Sequence, residues 1–249
     1  MQINKEKLYD RQIQIFGGET QKTINSTEVM VFGLNTVTTE IVKNLALIGF
    51  NIAVCDNKPL GREDIDNSPL LGKCDEDCLN QPLDTVIKNK LLDINPCIEV
   101  RVVTEPSGET LTDSTSILVS TSQSFEAQRS LSDKFRETKM HKFYLFESAD
   151  SFLAVAELPE KSFKLHEHDM GSFREKLKQE HGIDYSFDSA SNSYLGDFVL
   201  RCAFGATFNQ TLLTLISRQK LAYNLLYLNF NQKTENPSEH RKLDCLCLN

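Results

Sequence analysis

A glycine turn between an apolar strand and a helix is the part of this sequence best suited to chemistry. Such turns cradle phosphates when they read GxGxxG, and an acid about 20 residues later binds a ribose. Here the turn reads Gly33-Leu34-Asn35-Thr36-Val37-Thr38, so only the first glycine is present. Asn35 and Thr38 occupy the other two glycine positions. We expect the Cβ of Asn35 to fill space that phosphate oxygens need, which predicts no tight ATP or dinucleotide binding.

Asp56 follows at the end of the next predicted strand, where a ribose-binding or metal-binding acid would stand. Because the loop beside it is broken, we favour the interpretation that Asp56 simply opens a polar loop. The dipole and N–H groups at the start of the following helix would still attract an anion weakly.

Short apolar runs alternate with helical patterns through the first two thirds of the chain, and these elements would position the turn. The predicted strands are 28–32, 51–55, 99–103, 117–120 and 143–146, and the predicted helices are 38–48, 83–92 and 125–138. This alternation predicts an α/β fold with a doubly wound, mainly parallel sheet and right-handed crossovers.

The final third has a different pattern. Residues 152–158 predict a strand, and the charged stretch that follows predicts a linker or a solvated helix between loops. A long apolar helix is expected over 194–224, with a candidate break at Gly205, and a strand over 225–230. We therefore divide the chain into a first domain, a charged insertion, a C-terminal part of the first domain and a tail without a readable pattern. Their bounds are 1–158, 159–193, 194–231 and 232–249.

Composition excludes several classes of protein. The formal charge of −8 over 249 residues argues against nucleic-acid binding, which requires clustered Lys and Arg. We expect no membrane partner, because no apolar run approaches the ~18–20 residues that span a bilayer. The polar N-terminus lacks the apolar core of a signal peptide. Seven cysteines without an export signal predict free thiols in the nucleus or cytoplasm.

Two motifs carry a family resemblance. Residues 9–17 read YDRQIQIFG, which resembles the YDRQIRLWG signature that opens the adenylation domains of enzymes activating ubiquitin-like proteins. Residues 40–49, EIVKNLALIG, resemble that family's E-(I/L)-x-KNL-x-L-x-G helix, and 61–64, GRED, resemble the loop of its non-catalytic halves. The match covers residues 8–103. It implies a Rossmann-like fold of the ThiF or activating-enzyme type, with a C-terminal helix–strand extension.

The resemblance also implies which half of such an enzyme this is, because active halves keep several residues that are missing here. The Asn-Arg-Gln stretch is replaced by DNSPLL at 66–71, and the GR-x-K element by NQPL at 80–83. No Asp for magnesium follows the strand at 117–120, since 121–123 read TSQ. The chain would therefore bind no cofactor itself, and ATP and magnesium would lie in a catalytic partner subunit.

Arg11, inside the first motif, is the residue to which the resemblance gives a catalytic role. In the family, the silent half projects this arginine across the dimer into the partner's ATP site. Guanidinium is a rigid, permanently charged fork of donors suited to phosphate. Supplied in trans, it would stabilise charge that develops during attack on the α-phosphate. A surface arginine that caps its helix or pairs with Asp10 is the structural alternative.

The length of this chain is the only basis in the sequence for inferring which ubiquitin-like protein the enzyme activates. The silent subunit for NEDD8 usually carries a large helical insertion, whereas the one for SUMO is compact, and only residues 159–192 are available here. We therefore expect a heterodimeric SUMO-activating enzyme, with the NEDD8 enzyme as the alternative. A divergent NAD(P)-dependent oxidoreductase is a weaker alternative, since it does not explain the motifs at 9–17 and 40–49. A homodimeric sulfur-carrier adenylyltransferase is also weaker, since it would need the phosphate loop and the Arg, Gln and Lys that are absent here.

Other residues capable of chemistry are assigned structural roles. We predict no metal site, because the CxxxC at Cys74 and Cys78 and the CxC at 245–247 lack zinc spacing. No thioester-forming cysteine is expected at Cys55, Cys97 or Cys202. Three histidines, His166, His168 and His181, fall in the charged insertion and should be solvated. Three serines at the end of a predicted strand, Ser120, Ser122 and Ser124, lack a nucleophile-elbow sequence.

Overall fold

The computed structural model describes most of the chain as two compact units. The described residues are 5–105, 110–112, 114–122, 124–148, 151–185, 187, 195–218, 225–229 and 243–246. Unit 1 comprises Met1–Leu118 and Leu195–Leu221, and unit 2 comprises Val119–Tyr194 and Ala222–Asn249.

Helices and strands alternate along the chain, as the sequence predicts for an α/β fold. The helices are α1 Lys5–Leu8, α2 Asp10–Phe16, α3 Gly18–Ser26, α4 Thr36–Ile48, α5 Arg62–Asp66, α6 Leu83–Ile94, α7 Phe125–Lys134, α8 Met170–His181 and α9 Leu195–Arg218. The strands are β1 Glu28–Phe32, β2 Asn51–Cys55, β3 Val100–Val102, β4 Thr115–Thr121, β5 His141–Glu147, β6 Ser151–Glu157, β7 Leu225–Asn229 and β8 Leu243–Leu246. Short 3₁₀ helices lie at Lys73–Cys78 and Leu165–Glu167.

Unit 1 contains β1, β2, β3 and the first part of β4, in the spatial order β3-β2-β1-β4. β1 pairs with β2 from Glu28 opposite Asn51 to Phe32 opposite Cys55, and β2 pairs with β3 in the same sense. Val29, Met30 and Val31 are fully buried, as expected when helices cover both faces of a parallel sheet. The carboxyl end of β1 thus leads directly into the glycine turn.

Unit 2 departs from the parallel arrangement expected from the alternating pattern. Its strands β5, β6, β7 and β8 pair antiparallel. The connection from β5 to β6 is too short for the crossover that parallel strands require. Ser148 closes this hairpin, donating its backbone N–H to the Ser151 carbonyl at 2.9 Å. The Rossmann-like class with a mainly parallel sheet is confirmed, and the antiparallel strands are an addition to it.

Helix α9 corrects two expectations. It continues through Gly205 without a break. A Cβ at Gly205 would lie 3.0 Å from both the Val37 carbonyl oxygen and the Glu40 Cβ, so this glycine permits close packing of α9 on α4. In addition, Phe198–Ser217 is long and apolar enough to cross a membrane by length and composition, contrary to the expectation from apolar runs. Phe204, Phe208 and Leu212 are nonetheless fully buried, as in a core helix.

The charged stretch after β6 is more firmly packed than its composition suggested. Its helix α8 buries Phe173 and Leu177, and Phe163 and Tyr185 are also buried. The Phe125 ring centroid lies 5.5 Å from that of Phe173, and ring packing of this kind adds to apolar burial. Aromatic side chains therefore hold a segment that was expected to be a linker or a solvated helix.

Other differences concern the ends of elements. α4 begins two residues earlier than predicted, at Thr36, because Asn35 caps it. β8 lies in the tail for which we found no pattern. The parts of the predicted helix and strands at Tyr194, 219–224 and Phe230 lie outside the described residues, as does most of the tail.

Candidate functional site

The first loop is closed by hydrogen bonds between its own residues. Asn35 Oδ1 accepts the Thr38 backbone N–H at 3.0 Å, and Thr38 Oγ1 accepts the Asn35 N–H at 2.9 Å. Thr38 Oγ1 also donates to the Gly33 carbonyl at 2.8 Å. This is a capping box, a reciprocal arrangement that satisfies donors at the start of a helix. The residues that replace the two glycines thus bind N–H groups that would otherwise be available to an anion.

Asp56 completes the closure from the end of β2. Its Oδ2 accepts the Leu34 backbone N–H at 2.7 Å, and its Oδ1 accepts the Lys58 N–H at 3.3 Å. The carboxylate is therefore engaged with the loop backbone. The missing glycines are visible in the sequence and predict a loop poorly suited to phosphate. They do not by themselves predict the reciprocal capping by Asn35 and Thr38.

A small cleft lies beside this loop within unit 1. It has a volume of about 140 Å³, which is below the roughly 300–1,000 Å³ of ordinary ligand pockets. Asn35, Thr36, Lys58, Asp64 and Arg201 are among its lining residues. Lys58 Nζ pairs with Asp64 Oδ1 at 2.8 Å, so these two groups of the cleft neutralise each other.

Helix α2 presents Arg11 to solvent. Arg11 is exposed, and within the described part of the chain no hydrogen bond or ion pair holds its guanidinium. The local alternative of a pair with Asp10 is not observed, because Asp10 Oδ2 accepts from Gln14 Nε2 at 3.1 Å instead. Arg11 is also absent from the described lining of the cleft. Its charge is therefore open to solvent and takes no part in the described cleft.

Tyr9, two residues before Arg11, is buried. Its hydroxyl accepts from Asn95 Nδ2 at 2.8 Å, and the same amide donates to the Ala46 carbonyl at 2.7 Å. Burial raises the pKa of the Tyr9 hydroxyl, so this group remains protonated at neutral pH. The first motif thus combines one buried aromatic residue with one exposed cation.

The second motif forms a polar cluster on α4. Glu40 accepts from Lys43 Nζ at 2.5 Å and from Asn44 Nδ2 at 2.8 Å. Burial raises the pKa of the neighbouring Cys202 thiol, and the charge of Glu40 raises it further. A protonated thiol is a poor nucleophile, which supports the structural assignment of Cys202. In the 61–64 loop, Asp64 Oδ2 accepts the Gly61 N–H at 2.9 Å and so has a capping role.

Two of the histidines considered in the sequence lie in packed surroundings. Of the histidines expected to be solvated, His166 contacts Ser132 Oγ through Nδ1 at 3.0 Å, and the His168 ring stacks on Phe163. Partial burial lowers the pKa of His168. Both are therefore packed, which corrects that expectation. Among the described residues no group of three or more His, Cys, Asp and Glu side chains is placed to hold a metal.

The fold and the loop together define a class of protein: a Rossmann-like domain whose phosphate turn is occupied by its own helix cap. The chain belongs to the ThiF family, whose model matches residues 9–152. Its fold is similar to that in a crystal structure of E. coli MccB with MccA, with a TM-score of 0.70 and 14% identity, covering 97% of this chain and 71% of that one.

Several curated relatives are activating enzymes, or subunits of them, for ubiquitin, SUMO or NEDD8. The ubiquitin-activating enzyme E1 1 of Candida albicans (strain WO-1) is 33% identical over 124 residues, which cover 49% of this chain and 12% of that protein. SUMO-activating enzyme subunit 1 of Rattus norvegicus is 30% identical over 39% of this chain and 27% of its own length. The NEDD8-activating enzyme E1 regulatory subunit of Gallus gallus is 36% identical over 28% of this chain and 13% of its own length. The chain thus matches about a quarter or less of each of these relatives.

Proposed function

We propose that this chain is the non-catalytic subunit of a heterodimeric activating enzyme for a ubiquitin-like protein, of the SUMO type. The observation that carries the proposal is the closed first loop, in which Asn35, Thr38 and Asp56 engage the backbone donors that a triphosphate would need. ATP and magnesium would then bind in the catalytic partner. The complex would act in the nucleus or cytoplasm.

Arg11 is the contribution of this chain to catalysis under the proposal. Its guanidinium is exposed and without a described partner in the isolated chain, as a group that acts on another subunit's substrate must be. A donor fork placed at the α-phosphate would stabilise the charge that develops during adenylate formation. No deprotonation of Arg11 is needed, so this role is available at any working pH.

The outer face of α9 is our candidate for the subunit interface. Val199, Ala203, Ala206, Gln210 and Ser217 are exposed along it, and within the described helix no exposed position from 199 to 217 carries a charge. Val199 is 64% exposed. Exposed helix faces normally carry charges, whereas the centres of stable interfaces are depleted of them. An obligate interface commonly buries over ~2,000 Å².

The choice between SUMO and NEDD8 depends on two observations that favour different answers. The short stretch at 159–192 favours the compact SUMO-type subunit. The similarity to the chicken NEDD8-activating regulatory subunit is higher, at 36% identity, but it extends over only 70 residues. We keep SUMO as the proposal because the rat SUMO-activating subunit matches a longer stretch, at 30% identity over 100 residues.

Co-purification with a catalytic activating-enzyme subunit, followed by identification of that subunit, tests the assignment. Ala206→Arg on the outer face of α9 should weaken the complex, whereas Glu175→Arg on the exposed side of α8 should not. A stable monomer that never associates with such a subunit would contradict the proposal. Recovery with the catalytic subunit for NEDD8 would replace SUMO by NEDD8.

Nucleotide titration of the isolated chain tests the closed loop. We expect no binding of magnesium ATP or NADH below about 1 mM, because the donors of the loop are already engaged. NADH binding at micromolar concentration would instead support the oxidoreductase alternative. Turnover of ATP by the chain alone, with a ubiquitin-like protein present, would exclude a silent subunit.

A rate measurement on the complex tests Arg11. Arg11→Ala should lower ATP–pyrophosphate exchange by about 100-fold, at the lower end of the roughly 10²–10³-fold loss observed when one transition-state donor is removed. Arg11→Lys should recover only part of the rate, since it restores charge without the fork. Arg136→Ala, which removes another exposed arginine two residues after the end of α7, is the matched control. An unchanged rate in Arg11→Ala would remove this residue from the mechanism.

A further inference from the structure

Helix α2 packs against the adjoining helix α3 and is joined to α4 and Asn95 by few hydrogen bonds. None of its own side chains, from Asp10 to Phe16, is buried. A helix of this length is not stable by itself in water. Two side chains make the described hydrogen bonds that join this segment to unit 1 beyond α3: Tyr9 at the N-cap of α2 and Gln12 in its first turn.

Tyr9 provides the deeper contact. Its side chain is only 2% exposed, and its hydroxyl is held by Asn95, which is 3% exposed and also bound to the Ala46 carbonyl. The ring lies against Gly49, where an added Cβ would come within 2.9 Å of both Tyr9 Cζ and Oη. Tyr9 therefore occupies a site formed by the C-terminal end of α4 and by Asn95, with no room for displacement towards Gly49.

Gln12 provides the second contact, at the same end of α4. Its Nε2 donates to the Leu47 carbonyl at 3.0 Å. The last four carbonyls of a helix have no partner within it, so Gln12 supplies a donor that the Leu47 carbonyl needs. Asn95 adds a second donor to the Ala46 carbonyl, which also accepts the Gly49 N–H at 3.2 Å. Two separate points of attachment fix both the position and the rotation of α2.

We infer that Tyr9 and Gln12 are positioning residues for Arg11: they fix the backbone from which its guanidinium extends. Residues three apart share one face of a helix, so when Tyr9 and Gln12 face α4, Arg11 is rotated away and is exposed. A catalytic group must be held near its working geometry, and a displacement of about 1 Å can cost 10²-fold in rate. This inference rests on the proposed function, because it assigns the anchoring a role in catalysis by the complex.

The test uses an anchor variant that removes both hydrogen bonds but keeps the buried ring, Tyr9→Phe with Gln12→Ala. Its matched control is Gln21→Ala. Gln21 Nε2 donates to the Ile48 carbonyl at 3.0 Å, so the control also removes an amide from the end of α4, but the amide belongs to α3. In the complex we expect about a tenfold lower rate of ATP–pyrophosphate exchange for the anchor variant and a change within about twofold for the control. In the isolated chain, ¹⁵N order parameters of residues 11–16 should fall in the anchor variant only.

A double-mutant cycle with Arg11→Ala separates positioning from general loss of stability. If the anchor acts through Arg11, adding the anchor variant to Arg11→Ala should cause no further loss of rate. A rate effect of Arg11→Ala together with an additive effect of the anchor variant would overturn the inference and leave the proposed function intact. No effect of Arg11→Ala at all would instead overturn the proposed role of Arg11. Unchanged order parameters in the isolated anchor variant would also overturn the inference, and this measurement needs no partner subunit.

Discussion

Helices α4 and α8 begin with the same hydrogen-bonded motif although they follow different kinds of element. In α4, Asn35 and Thr38 cap each other's backbone N–H groups, and in α8 Asp169 and Ser172 do the same, at 2.8 Å and 3.1 Å. α4 follows a strand and a glycine turn, the arrangement that binds phosphates elsewhere, whereas α8 follows the short 3₁₀ helix Leu165–Glu167. The comparison shows that the glycine turn after β1 leads into a conventionally capped helix.

The two caps differ in burial. Thr38 is fully buried and also donates to the Gly33 carbonyl, whereas Asp169 and Ser172 are exposed. A buried cap cannot be replaced by water when it is removed, whereas an exposed cap can. The loop of α4 is therefore closed by bonds that are costly to break, and this is the physical basis of the proposal that it binds no nucleotide.

The C-terminal ends of the two helices give the largest predicted difference. Both end at a glycine with positive φ, +106° at Gly49 and +69° at Gly182. A Cβ at Gly49 would lie 2.7 Å from Asn25 Oδ1 and 2.9 Å from Tyr9, whereas nothing lies within 4 Å at Gly182. We expect Gly49→Ala to lower the free energy of unfolding by at least about 3 kcal/mol and Gly182→Ala by about 1 kcal/mol. Urea unfolding measures both, and equal losses would contradict the packing described around Tyr9.

The N-terminal caps give the next largest difference. Thr38→Val keeps the volume of the buried side chain but leaves the half-buried Asn35 N–H and Gly33 carbonyl without the bonds to Thr38 Oγ1. We expect it to lower the free energy of unfolding by about 2 kcal/mol. Ser172→Ala at the same position of α8 should cost about 0.5–1 kcal/mol, since water reaches that site. The same urea titrations measure this pair, and a larger loss in Ser172→Ala would show that burial does not distinguish the caps.

The sequence predicted unit 1 better than unit 2, for reasons that particular residues make clear. β1 and β2 are continuous apolar runs ended by Gly33 and Asp56, and their observed bounds match the predicted ones. In unit 2, the aromatic anchors Phe163, Phe173 and Tyr185 stand ten or more residues apart and form no local period. Their packing is a tertiary property, and the surrounding charges suggested a linker.

The candidate site shows the same limit. The missing glycines at Asn35 and Thr38 are visible in the sequence, and so is the motif that contains Arg11. The bonds from Asp56 to the Leu34 N–H and from Asn95 to Tyr9 join residues 22 and 86 positions apart. Spacing along the chain carries no signal for such contacts. Gly205 misled for a related reason, because a glycine that permits close helix packing and one that ends a helix look alike in sequence.

The smallest predicted effect is that acid distinguishes the two caps. The pKa of the Asp169 carboxyl lies below its usual value, mainly because the carboxylate accepts the Ser172 backbone N–H. A depressed pKa in the folded state means that the cap contributes stability above the ordinary carboxyl pKa, and that this contribution is lost as pH falls through the depressed value. Asn35 has no titrating group, so the cap of α4 should not respond.

Between pH 5 and about 2 the ¹⁵N–¹H resonance of Ser172 should therefore move, while that of Thr38 stays in place. In Asp169→Asn, which gives α8 an amide cap like that of α4, the Ser172 resonance should become independent of pH. A Thr38 resonance that titrates in parallel with Ser172 would mean that the loop of α4 opens in acid. Its closure would then depend on the Asp56 carboxylate, which accepts the Leu34 N–H, and not on the reciprocal bonds between Asn35 and Thr38 alone.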